Sequence, residues 1–292
     1  MKEIVIISGK GGTGKTSITA SFSYLGGKDV IVADCDVDAA DMHLLLEPDY
    51  AVSEDFYSGL IAEIDQEKCI KCGKCAEVCR FAAIPIINKQ YVVNPIDCEG
   101  CGYCSQICPR DAIEMKEQNV GKWFLSEIKT GSKMVHARLG IGAENSGKLV
   151  AEVKNKAKGI AEKENKEFVI VDGSPGIGCP VISSLSGAHF VVLVTEPSVS
   201  GIHDLKRVYE LVKKFGIKAG CIINKADINP NKTKEIQRFL EDEKIESITA
   251  IPYDENFTKA MTQGKTIVEF DDGKLKLNIE NSWEKIKELA TN

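Results

Sequence analysis

Gly9-Lys10-Gly11-Gly12-Thr13-Gly14-Lys15-Thr16 is the stretch on which the fold of this 292-residue chain turns. Its spacing, G-x-x-x-x-G-K-[ST], is that of a phosphate-binding loop. Glycines let backbone N–H groups turn toward phosphate oxygens with no Cβ in the way. A buried strand is predicted just before it at Glu3–Ser8. After it, Ile18, Phe22 and Leu25 recur at helical spacing until Gly26-Gly27. Strand, loop and helix in that order put bound phosphates at the positive end of a helix. Gly9, Gly11, Gly12, Thr13, Gly14, Lys15, Thr16 and Ser17 are therefore the expected nucleotide contacts. Lys15 is expected to reach the β- and γ-phosphates and Thr16 to ligate Mg²⁺. A second lysine, Lys10, lies inside the loop, where ordinary phosphate loops need none.

Outward from the loop, apolar strands end in polar residues. Asp29–Ala33 leads into Asp34, Asp36, Asp38 and Asp41, and Phe168–Val171 leads into Asp172-Gly-Ser-Pro-Gly176. Carboxylates at the carboxyl ends of parallel strands share a rim with the phosphate loop, where α/β folds place their ligands. Asp172 has the Walker B position, holding Mg²⁺ through water. Asp38 and Asp41 read equally well as solvated loop charges. Strand Phe190–Val194 precedes a helix with Leu205, Val208, Val212 and Phe215 at core spacing, and strand Gly220–Ile223 ends in Asn224-Lys225-Ala226-Asp227. Strands alternating with helices predict an α/β fold, a doubly wound and mostly parallel sheet.

The run KGGTGKT, with Lys10 in it, resembles the deviant Walker A ATPases, a group that includes MinD, ParA, the Mrp-type ATPases and the nitrogenase iron protein. The resemblance spans residues 1–60 and 117–292. It implies that Lys10 crosses to a partner's nucleotide, so that hydrolysis needs an ATP-dependent homodimer. It further implies that Asp36 orients or deprotonates the attacking water and that the loop after Asp172 senses the γ-phosphate. Asn224 also looks like the base-reading asparagine of guanine-binding relatives, but this family uses it on adenine, so ATP is favoured. Pro252, Tyr253 and Asp254 resemble the family's second base-flanking loop. Cys179 lies near the place where the nitrogenase iron protein carries a cluster ligand. The expected second cysteine has no counterpart, and a small buried thiol is the better reading.

Eight of the eleven cysteines lie in one block, Cys69, Cys72, Cys75 and Cys79, then Cys98, Cys101, Cys104 and Cys108. Each run reads C-x2-C-x2-C-x3-C, and residues 69–84 agree with 98–113 at seven of sixteen positions, an internal duplication. The block resembles bacterial two-cluster ferredoxins, in which the fourth cysteine of each run ligates the other cluster. That resemblance assigns Cys69, Cys72, Cys75 and Cys108 to one [4Fe–4S] cluster, and Cys98, Cys101, Cys104 and Cys79 to the other. It implies a small inserted α+β ferredoxin domain at 61–116. Cys108 is followed by the expected Pro109, whereas Cys79 is followed by Arg80. A pair of zinc sites is the alternative, but zinc has no use for four cysteines at this spacing twice over. Ile70, Val78, Phe81, Ile84, Tyr103, Ile107 and Ile113 are expected to form a small core around the clusters. Cys35 and Cys221 read as core thiols.

Charge narrows the partners. With 37 basic and 43 acidic residues the net charge is −6, so nothing favours a phosphate polymer and nucleic acid is not an expected partner. No apolar run approaches the roughly 20 residues needed to span a bilayer, and the N-terminus lacks a signal-peptide pattern; the expectation is a cytoplasmic chain. A helix at Ile279–Leu289 has Lys285 and Lys287 offset by Glu280, Glu284 and Glu288, which favours packing on its own domain over a membrane anchor. Trp123-Phe-Leu and Met134–Leu139 read as strands, and Gly142–Lys148 as a polar loop opening a helix. His43, His136, His189 and His203 form no spaced set.

Nucleotide loop and cysteine block together imply an ATPase that gates electron transfer to, or maturation of, a redox or metallocofactor-client protein. An iron–sulfur scaffold or carrier is one alternative, weakened because no C-x2-C pair occurs outside the block. A MinD/ParA-like positioning switch with structural clusters is the other, weakened by the acidic balance and the lack of a basic tail.

Overall fold

The computed structural model describes residues 1–38, 40–140 and 146–291. The reading of Gly142–Lys148 as a loop falls largely outside them; the described part, from Ser146, is helical. In chain order the elements are β1 (Lys2–Ile7), α1 (Lys15–Gly26), β2 (Val30–Asp34), α2 (His43–Leu46), β3 (Val52–Ile64), α3 (Lys74–Val78), β4 (Ile86–Ile87), β5 (Gln90–Tyr91), α4 (Tyr103–Gln106), β6 (Ile113–Glu127) and β7 (Lys133–Leu139). There follow α5 (Ser146–Lys163), β8 (Phe168–Asp172), α6 (Cys179–Leu185), β9 (Phe190–Thr195), α7 (Val199–Lys214), β10 (Lys218–Ile223), α8 (Pro230–Asp242), β11 (Glu246–Ala250), α9 (Asn256–Thr262), α10 (Ile267–Phe270) and α11 (Lys274–Thr291).

The chain divides into two compact units, one drawn from Met1–Glu54, Trp123–Arg138 and Ser146–Asn292, the other from Asp55–Lys122 and Leu139–Asn145. The boundaries expected from sequence, 61 and 116, sit inside β3 and β6. Both strands flank the turn-rich cysteine block and run on beyond those boundaries, and the chain passes from one unit to the other within them.

The sheet order is β11-β10-β9-β1-β8-β2-β7-β6-β3, and every pairing from β11 across to β7 is parallel. Its central strands are apolar runs buried on both faces, as a sheet covered by helices on each side requires. Ile4, Ile6, Val30, Val32, Phe168, Ile170, Phe190 and Val192 point to one layer, shared with α1 and α11. There Trp283 of α11 stacks on Phe22 at 5.6 Å and meets Phe168 edge-on at 5.9 Å. The alternate residues, Val5, Ile7, Ile31, Ala33, Val169, Val171, Val191 and Leu193, are fully buried as well, with α5, α6 and α7 packed against these strands. The C-terminal helix thus spends its apolar face, Leu275, Ile279, Trp283 and Ile286, on its own unit. No described helix is long and apolar enough to cross a membrane.

In the second unit the duplication extends to the backbone. Lys71 and Gly100 take positive φ (57° and 64°), as do Gly73 and Gly102 (78° and 73°) and Ala82 and Asp111 (52° and 47°), each pair at equivalent positions of the two runs. Gly73 and Gly102 open α3 and α4, and β4 and β5 form a two-stranded antiparallel hairpin. The core is Ala62, Ile64, Cys75, Ile84 and Ile113, with Cys69, Cys79, Cys98, Cys104, Cys108, Tyr91 and Met115 against it. Ile70, Phe81 and Tyr103 do not join it; they are about half exposed. Each sits within two residues of a cysteine on a short loop or one-turn helix, where few neighbours can cover a large side chain.

Candidate nucleotide site and cysteine cavities

Parallel register builds the first site. β8 lies between β1 and β2, so Asp172 pairs with Ile6 on one side and Asp34 on the other, and two carboxylates end side by side at the carboxyl rim of the sheet. The loop that leaves β1 delivers Lys15 to them. Its Nζ lies 2.8 Å from Asp172 and 3.6 Å from Asp36, and 3.4 Å from its neighbour's Thr16 hydroxyl. Thr16 and Thr19 hydroxyls both donate to Asp172, each at 2.9 Å. Gly14 caps α1 with φ 86°, a left-handed conformation that a side chain would strain, and a Cβ there would strike the Asn224 amide.

Electrostatics follow from burial. Burial alone would lower the Lys15 pKa, but Asp172, Asp36 and Asp34 more than offset it and the ammonium is held charged. Asp34 is fully buried, accepts from the Asp36 N–H at 3.1 Å, and has no hydrogen-bond partner on Oδ2 among the described residues. Burial, then the Asp172 charge, push its carboxyl well above the usual carboxylate range. Asp36 is raised to about 6, first by burial and then, against the pull of Lys15, by Asp172.

This has a measurable sign. Asp36 holds its proton more tightly folded than unfolded, so its contribution to stability is greatest below the ordinary Asp value near 3.8 and is lost as pH rises toward about 6. Asp36→Asn is expected to remove that component from the pH dependence of urea unfolding of nucleotide-free protein in chelator, up to about 3 kcal/mol at neutral pH. An unchanged slope between about pH 4 and 6 in the variant would refute it.

Thr13 is buried, Gly9, Gly14, Thr16 and Ser17 are half-buried, and Gly11 and Gly12 are exposed at the loop's crest. Asn224 is buried, with Nδ2 donating to the Thr13 carbonyl at 2.8 Å and Oδ1 accepting from the Lys225 N–H at 3.0 Å. It therefore braces the phosphate loop. Asp227 accepts from the Tyr253 N–H at 2.6 Å, tying the loop after β10 to the Pro252-Tyr253-Asp254 loop after β11, where Pro252 and Tyr253 are exposed. Asp38 and Asp41 are exposed. Cys35 and Cys221 are buried as expected, but Cys179 is exposed: it starts α6, directly after Gly178.

Glu196 was not signalled. Its Oε1 accepts from Lys10 Nζ at 2.6 Å and its Oε2 from Lys225 Nζ at 2.9 Å, while Lys225 also reaches the Gly12 carbonyl at 2.9 Å. Ser198 and Ser200 hydroxyls complete the Lys10 cradle at 3.3 and 3.0 Å. The available signal was positional: Glu196 directly follows the apolar strand β9, as Asp34 and Asp172 close β2 and β8.

In the second unit two cavities lie among the cysteines. One is lined by Cys69, Cys72, Cys75 and Cys108; the other by Cys79, Cys98, Cys101 and Cys104. The thiols of the two exchanged cysteines are marked alike: the Ala112 N–H donates to Cys108 Sγ at 3.3 Å and the Ala83 N–H to Cys79 Sγ at 3.4 Å. Among the described residues no group of three or more His, Cys, Asp or Glu side chains closes tightly enough to hold a metal ion.

A phosphate loop between a parallel strand and a helix, with carboxylates from two neighbouring strands behind its lysine, defines a P-loop nucleotide-binding α/β protein. Residues 4–267 match the CobQ/CobB/MinD/ParA nucleotide binding domain, and the chain belongs to that family. An uncharacterized protein of Methanocaldococcus jannaschii is 35% identical over 290 residues, covering 98% of this chain and 97% of its own. The chloroplastic septum site-determining protein MinD homolog of Arabidopsis thaliana is 23% identical over 276 residues, 91% of this chain and 68% of its own. Among solved structures, MinD of Pyrococcus horikoshii complexed with Mg-ADP superposes with a TM-score of 0.60 at 19% identity, covering 99% of this chain and 97% of that one, a likeness of fold.

Proposed function

We propose that this protein is an ATP-hydrolysing switch carrying two [4Fe–4S] clusters, which passes electrons to, or helps mature, a partner metalloprotein under nucleotide control. The observation that carries the reading is the membership of the two cavities. Each is lined by three cysteines of one run and the last of the other. Four thiols around such a cavity, each exchanged thiol taking a backbone N–H, suit a group in which every thiolate binds a different iron. When bound, clusters of this kind supply one-electron carriers. The chain's part is to hold them in apolar surroundings through those eight thiols.

At the nucleotide site, Lys15 is the cation for the β- and γ-phosphates, and the backbone N–H groups of residues 9–17 cradle them. The residues fit Mg²⁺: the Thr16 hydroxyl and the Asp172 carboxylate already meet at 2.9 Å, one to ligate the ion and the other to hold its water. The ion would neutralise phosphate charge. Asp36, with a carboxyl near 6, is suited to accept a proton from the attacking water close to neutral pH. Asn224 keeps the loop shaped, and the Pro252-Tyr253-Asp254 loop flanks the base. Lys10 acts across an ATP-dependent homodimer.

Anaerobic reconstitution tests the reading. The expected protein holds about eight irons and as many inorganic sulfides, and ATP accelerates reduction of an acceptor protein while iron stays bound. Iron content near zero would discard the cluster reading. Likeness to MinD favours a second reading, a MinD/ParA-like positioning switch. That reading expects nucleotide-dependent assembly on a surface or partner, unchanged when the cysteines are replaced by serine.

A further inference from the structure

The repeat gives each cavity a built-in comparison with the other. Within residues 69–84 and 98–113, positions 29 apart are equivalent; ten such pairs line the two cavities, and three of them differ in residue type. Where the first cavity has Ile70, Lys74 and Arg110, the second has Glu99, Tyr103 and Phe81. The first is thus lined by two cationic residues, the second by one anionic residue, and no other charged residue lines either among those described. Arg80 and Lys71 are exposed and line neither. Each cavity has four thiols and one N–H···S bond, at 3.3 and 3.4 Å. Charge differs between them.

Resting on the cluster reading above, we infer that the two sites are electronically unequal and that Lys74, Arg110 and Glu99 set the order. The site of Cys69, Cys72, Cys75 and Cys108 takes the first electron, and the site of Cys98, Cys101, Cys104 and Cys79 is the stronger reductant. Reduction adds one negative charge to a cluster, forms and breaks no bond, and needs no proton. The electron comes from an external low-potential reductant, dithionite in the test. Cations beside the cavity favour the added charge and an anion opposes it. The three side chains are exposed, so the inequality also shrinks with salt, unlike a difference built into the ligands.

The experiment is a redox titration of the full, reconstituted chain, followed by electron paramagnetic resonance and preceded by an iron and sulfide assay. The native protein is expected to reduce in two one-electron waves. Lys74→Gln with Arg110→Gln should lower only the higher wave, and Glu99→Gln should raise only the lower one. Each reduction equilibrium should move about tenfold, or 59 mV for one electron. The separation should narrow at 1 M salt. Both variants moving the same wave, or waves unmoved by any of these changes, would overturn the inference and leave the clusters standing. Absence of iron would instead remove the reading beneath it.

Discussion

Lys15→Ala is expected to abolish nucleotide binding and to weaken the nucleotide-free fold as well. The binding loss follows from the proposed contact with two phosphates: truncating one partner of a close, desolvated charge pair costs 2–5 kcal/mol or more, about thirtyfold at least in affinity. The stability loss follows from what is already around the ammonium. Asp172 is fully buried and Asp34 nearly so, and Lys15 is the cation that meets Asp172 at 2.8 Å and Asp36 at 3.6 Å. Removing it leaves buried carboxylates together without a counter-charge, a change worth about 3–5 kcal/mol. The two effects separate experimentally. Adding Asp172→Asn should restore much of the stability, because neutralising the deepest carboxylate removes the repulsion, yet it cannot restore the phosphate contact. Urea unfolding and equilibrium dialysis with ATP would check both arms. A Lys15→Ala protein that binds ATP as the native one does would sink the assignment of the phosphate site.

The fate of individual residues shows how far the sequence could carry the reading. The phosphate loop was legible because its chemistry is local: eight consecutive residues fix turn, cation and hydroxyl, and the apolar runs on either side identify strand and helix. Asp172 was legible for the same reason, as the last residue of an apolar strand. Glu196 was not, since its value lies in Lys10 and Lys225, 186 and 29 residues away, and only the strand order β9-β1 and β9-β10 brings the three together. Asn224 was expected to read the base; its donation to the Thr13 carbonyl is a tertiary contact between the loops after β1 and β10 that the sequence does not show. In the second unit, cysteine spacing located the loops and the repeat predicted their equivalence. Ile70, Phe81 and Tyr103 do line the cysteine cavities, but hydrophobicity alone did not show that they are about half exposed, because being apolar does not cover a side chain held on a four- or five-residue helix or a tight loop. The same limit applied to Cys179, which is exposed although its neighbours in sequence are small or apolar.

Removing Lys10 should do something different from removing Lys15, and the structure says why. In the single chain Lys10 is turned onto its own Glu196 at 2.6 Å, and the pair is partly exposed, 27% and 17% for the two side chains. An ion pair at that exposure is worth at most about 1 kcal/mol. Opening it is cheaper still, because Lys225 remains on Glu196 at 2.9 Å and leaves no bare carboxylate. A dimer partner's triphosphate could therefore draw Lys10 away at little cost, as action in trans requires. Lys10→Ala is expected to leave ATP binding within a few-fold of native while turnover at saturating ATP falls about 10³-fold or more, the range for a cation supplied to a phosphoryl-transfer transition state. Mixing gives the decisive readout. Lys10→Ala chains have an intact nucleotide site and lack the donated lysine, whereas Asp36→Asn chains retain Lys10 and lack the proposed base. Neither should turn over alone, but their mixture should regain activity if one chain's Lys10 completes the other's site. Full turnover by Lys10→Ala alone, or a mixture no more active than its parts, would show that this lysine acts within its own chain or not at all.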